Sequence, residues 1–122
     1  MDLMTYLRED LVRLMKRREK VGLRAVRDAI SAIQNAETSY LITPATVGAP
    51  SEFVGGAVAF GQAERIVRQL DAEEMMALAR GQVERRLEDA ATLRQHGQVD
   101  RALMLKAEAL ILSDRLDAFA GR

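Results

Sequence analysis

Leu3, Leu7, Leu11 and Leu14 recur every three or four residues, the spacing of one face of an α-helix. Continued at 3.6 residues per turn, that stripe would reach Arg18 and then Val21 or Gly22. A new stripe starts instead at Leu23, Val26, Ile30 and Ile33, out of phase by about half a turn. One straight helix cannot turn both stripes to one core. The pattern therefore predicts a first helix over 3–17, a break near 18–22 eased by Gly22, and a second helix over 19–40.

The 38–62 segment differs in kind. It holds both prolines, Pro44 and Pro50, and four of the eight glycines; between Glu37 and Glu64 its only charge is Glu52. This predicts a long loop, with Phe53, Val54, Val58 and Phe60 available for local packing or for covering a groove, and a short helix over 63–70. Asp71 with Glu74 three residues later is a capping-box pattern. Met75, Leu78, Ala79, Val83, Leu87 and Ala90 follow on one face of a third helix. His96-Gly97 ends it, with the glycine at the usual left-handed C-terminal position. A fourth helix is expected over 99–119. Its middle, ALMLKAEALIL at 102–112, is apolar on more than one side, which suits a central position or a second partner. The predicted fold is all-α, an antiparallel bundle of about four helices in one domain spanning 1–122.

Composition supports this reading. Of 122 residues, 48% are apolar, 30% charged and only 4% aromatic, so the core is built from aliphatic residues and alanine. A chain of this length buries roughly two-thirds of its unfolded surface. There is no cysteine, which excludes disulfides, thiolate metal sites and a thiol nucleophile. No leader pattern is visible, since Arg8, Glu9 and Asp10 follow the first residues. No apolar run reaches membrane-spanning length. A cytoplasmic location is the expectation.

Candidate chemistry is sparse. His96 is the only histidine, and a di-iron bundle needs Glu-x-x-His pairs from two helices. GGAVAFG at 55–61 lacks the Lys-Ser/Thr of a phosphate loop, carrying Gln62-Ala63 there. Glu73-Glu74 suit the start of the third helix. Glu84, Glu88, Arg80 and Arg85 read as surface helix charges. No catalytic residue, metal site or cofactor is expected.

One basic run stands out. Lys16, Arg17, Arg18, Lys20, Arg24 and Arg27 face a single acid, Glu19, over twelve positions. Lys20, Arg24 and Arg27 share a helix face. With a net charge of zero, attraction to nucleic acid has to be local. The run is either a phosphate-binding patch with strong salt dependence or a solvated turn neutralised by Asp28 and neighbouring acids. No aromatic interleaves it, so base stacking along the run is not implied.

The stretch MKRREKVGLRAVRDAISAIQNAE at 15–37 resembles the N-terminal signature of the GatB/YqeY, or YqeY-like, family. The matching positions are Met15, Lys16, Arg18, Lys20, Leu23, Arg27, Ser31, Ala32, Ile33, Asn35 and Glu37. A second block follows in order: Asp71, Glu74, Arg86, Glu88, Ala90, Gly97, Ala102, Glu108 and Leu112. The resemblance implies an all-helical protein related to the C-terminal region of the GatB component of the glutamine-dependent aminoacyl-tRNA amidotransferase. That region is associated with tRNA, while amide transfer, a carbon–nitrogen ligase chemistry, sits in other domains. Glu19 replaces the family's aspartate, and the 38–62 segment is longer than its usual connection. At Asp114-Arg115-Leu116, where the family continues into a tail domain, this chain nears its end. The expectation is thus a non-enzymatic helical accessory module, associated with tRNA or another RNA-binding complex. The alternative is an interaction or structural module. It would use the fourth helix, through Leu103, Leu105, Leu110 and Leu112, and the 53–60 loop to meet a protein partner or a second copy.

Overall fold

The computed structural model describes residues 1–48 and 69–122, and the side chains within them except those of 39–48. Four helices make up the described residues: α1 (Leu3–Arg17), α2 (Lys20–Gly48), α3 (Ala72–Gln95) and α4 (Val99–Ala120). No strand occurs among these residues. The all-α expectation holds, and no described helix is long and apolar enough to cross a membrane. The chain divides into two compact units, Met1–Ile33 with Ala72–Arg122, and Gln34–Asp71.

The first unit contains α1, residues 20–33 of α2, α3 and α4. Asp2 caps α1 by accepting the Thr5 N–H at 2.8 Å, which satisfies one of the free donors of the first turn. That bond, more than any neighbouring charge, holds the Asp2 carboxyl below its ordinary value. Leu3, Leu7 and Leu14 are buried, as the stripe predicts. From α2, Val26, Ile30 and Ile33 join them, with Ala25 and Ala29 letting the backbone approach closely. Leu112 and Leu116 of α4 complete the interior. Tyr6 packs against Phe119 at 5.2 Å between ring centroids, and the Arg122 guanidinium lies over the Tyr6 ring, 5.0 Å from its centroid.

Two expectations about this unit are corrected. Gly22 is not part of the break but lies buried inside α2. A β-carbon there would sit 3.1 Å from Leu14 Cδ2 and 3.2 Å from Ile111 Cγ2; the glycine serves close packing. The break falls at Arg18, whose φ of 58° is left-handed. On α3, Leu87 is exposed while Arg86, one position earlier, is buried: the true inward face is rotated toward an ion pair described below.

The second unit begins with the later part of α2, where Thr38 Oγ1 donates to the Gln34 carbonyl at 3.0 Å. The helix runs on to Gly48, so residues 38–48 of the expected loop are helical. Pro44 removes one donor, at about 3 kcal/mol in a helix interior, and its neighbours carry no second breaker before Gly48. Residues 49–62, with the 53–60 contact surface and the 55–61 glycine run, and residues 63–68 of the helix expected over 63–70 lie outside the described residues, while residues 69 and 70 are not helical.

Candidate functional site

The α1–α2 corner is built by backbone hydrogen bonds. Arg18 N–H donates to Met15 O at 3.2 Å and Glu19 N–H to Leu14 O at 3.0 Å. This is the Schellman ending, in which the left-handed residue is usually glycine. Here it is arginine. The left-handed conformation costs an L-residue roughly 1–2 kcal/mol. Lys16 and Arg17, in the last turn of α1, meet the negative end of the helix dipole favourably.

Lys16, Arg17, Arg18, Lys20, Arg24 and Arg27 are all exposed. Five of them, all but Arg24, pair with no carboxylate among the described residues. Arg24 Nη1 donates to Glu108 Oε2 at 3.2 Å. The corner therefore presents five unpaired cations against Glu19, a net of four positive charges.

Asp28, expected to neutralise this run, is held elsewhere. Asp28 accepts from Arg86 Nη2. Arg86 Nε donates to Glu108 Oε1 at 3.0 Å, and its Nη1 to Gln82 Oε1 at 3.1 Å. Arg24–Glu108–Arg86–Asp28 is thus a continuous charge chain linking α2, α4 and α3. Glu108 is 1% exposed and Arg86 7%, so each charge lost its hydration and recovers it only through these partners. Arg24 and Asp28, one turn apart on α2, each reach across to another helix instead of pairing with each other.

Sequence reasoning missed this chain. Arg86 and Glu108 occupy positions that look like surface helix charges; a signal was available, because both lie in rows of otherwise apolar inward residues, Val83–Ala90 and Leu105–Leu112. A second buried acid was missed too. Asp10 is fully buried, with Arg13 Nη2 3.1 Å from Oδ1 and Arg115 Nε 3.1 Å from Oδ2. Both contacts are ionic, off the axis of a hydrogen bond.

The outer side of α4 is split. Leu103 and Leu110 are 58% and 54% exposed, Leu105 is half-buried, and Leu112 is wholly internal. Leu112 is removed from the expected partner surface, because it is fully buried in the core. With Leu87, Val99 and Leu103, an apolar trough of about 300 Å³ runs between α3 and α4. His96 is exposed in the α3–α4 turn, its Nδ1 2.8 Å from the Thr92 carbonyl, as a polar turn residue should be. No family model, curated protein or solved structure matches the chain.

Proposed function

We propose that this chain is a non-catalytic helical module that binds RNA phosphates through the α1–α2 corner, acting in the cytoplasm beside tRNA or the translation machinery. The observation that carries this reading is Arg18. A cation occupies a left-handed position that glycine would fill without strain. It stands among four further cations with no carboxylate partner among the described residues, while Asp28 is held by Arg86. Local strain kept at an exposed charged residue supports a binding role for this turn. The resemblance of residues 15–37 to the YqeY-like signature supports the same reading, and supports kinship with the amidotransferase component without its chemistry.

Fluorescence anisotropy with labelled tRNA at low salt tests it. Lys16→Glu with Arg18→Glu should abolish binding while circular dichroism shows unchanged helicity. Equal affinity in wild type and variant would refute a phosphate grip at the corner.

A second reading is favoured by Leu103 and Leu110, whose exposure on α4 suits a protein partner or a second copy. Sedimentation equilibrium of wild type beside Leu103→Asp separates the two: self-association through this face gives a concentration-dependent mass that the variant loses.

A further inference from the structure

Beside the corner, α2, α3 and α4 enclose a recess of about 380 Å³. Arg24, the one corner cation already paired, forms part of its wall. Leu93, Met104 and Leu105 make an apolar side, and Asp100 and Arg101 stand at its edge. Glu108 fixes the Arg24 guanidinium from within, at 3.2 Å, and Gln98 Oε1 holds Arg101 Nη1 at 3.0 Å.

Two carboxylates, Asp100 and Glu108, line this recess, which makes it a poor place for a phosphate. A flat, uncharged ring with polar edges fits it better. An arginine plane is a stacking surface for an unpaired base where aromatic residues are lacking, and this chain has no tryptophan. The apolar side chains would cover the opposite ring face. Asp100 would accept from an exocyclic amine of such a ring, and Arg101 would donate to a ring nitrogen or carbonyl. Arg24 lies one helical turn beyond Lys20 on the same face, so the recess opens beside the cations that would hold the backbone.

We propose that this recess takes one unpaired nucleobase of the RNA held by the corner. The proposal rests on the phosphate-binding reading of that corner. It adds single-strand recognition to an otherwise shape- and charge-driven contact.

The test uses labelled single-stranded oligoadenylate and an RNA duplex of equal length, with Met104→Ser as the variant. Met104 is exposed on α4, and the change alters no charge. Loss of the apolar wall should weaken oligoadenylate binding roughly tenfold and leave duplex binding within about twofold. Arg24→Gln, which leaves Glu108 its bond to Arg86, should weaken oligoadenylate more than duplex. Equal losses on both RNAs, or none on either in the Met104 variant, would overturn the recess. If duplex binds normally while no variant discriminates, the corner survives and only the base site fails. If wild type binds neither RNA, both fail together.

Discussion

Two turns of this molecule share one backbone design and place different residue types at its left-handed position. At the α1–α2 corner, Glu19 N–H bonds to Leu14 O at 3.0 Å and Arg18 N–H to Met15 O at 3.2 Å. At the α3–α4 turn, Gln98 N–H bonds to Leu93 O at 2.9 Å and Gly97 N–H to Arg94 O at 3.0 Å. The left-handed residue is Arg18 at φ 58° in one and Gly97 at φ 77° in the other. The α3–α4 turn uses the residue that backbone sterics favour. The α1–α2 corner keeps a cation there, next to Lys16, Arg17 and Lys20. One turn meets the left-handed conformation with glycine, and the other retains charge there at some expense to stability.

The sharpest way to break this comparison is through the frame both turns serve. Arg86→Met leaves Asp28 without its partner and Glu108 with Arg24 alone. Removing one member of a buried ion pair should lower stability by about 3–5 kcal/mol, read as a shift in the urea midpoint. A loss near zero would show that the charge chain contributes little to the fold.

The next effects fall on the two turns and have opposite signs. Gly97→Ala should destabilise by roughly 1–2 kcal/mol, because a β-carbon enters the left-handed region. Arg18→Gly should stabilise by up to about 1 kcal/mol by relieving the same strain. It should also weaken tRNA binding. If Arg18→Gly left both stability and binding unchanged, the contrast between the turns would have no functional content.

The smallest effect is electrostatic and lies at the start of α1. The Thr5 N–H bond lowers the Asp2 carboxyl below its ordinary 3.8. The folded value is thus below the unfolded one. The cap's contribution is complete above the unfolded value and fades as pH falls through the folded one. Asp2→Asn keeps the capping oxygen and should remove this component of acid sensitivity below about pH 4. Identical acid-unfolding curves for variant and wild type would contradict it.

Much of the frame was legible because amphipathic spacing fixes which side of a helix is buried. Leu3, Leu7 and Leu14 of α1 and Val26, Ile30 and Ile33 of α2 are buried as their periodicity requires, with Leu11 half-buried. The Gly97 ending was legible for the same reason, since one residue type dominates that position. Other features were hidden by the rules that worked elsewhere. Leu112 could not be separated from Leu103 and Leu110, because α4 is apolar on several sides and spacing alone does not rank them. Arg86 and Glu108 were disguised by charge; only their placement in apolar rows hinted at mutual burial. Gly22 read as a breaker because its close packing depends on Ile111, far away in sequence. Of the candidate site, the basic residues themselves were legible. That all of them but Arg24 lack a carboxylate partner among the described residues was not, because the engagement of Asp28 by Arg86 is a tertiary fact.

The most direct measurement is the salt dependence of tRNA affinity for the unmodified chain. Four net charges at the corner predict a log–log slope of about −3, at roughly 0.7–0.9 per phosphate neutralised. A slope near zero, or no binding at low salt, would contradict a phosphate grip and leave the α1–α2 corner a strained but solvated turn.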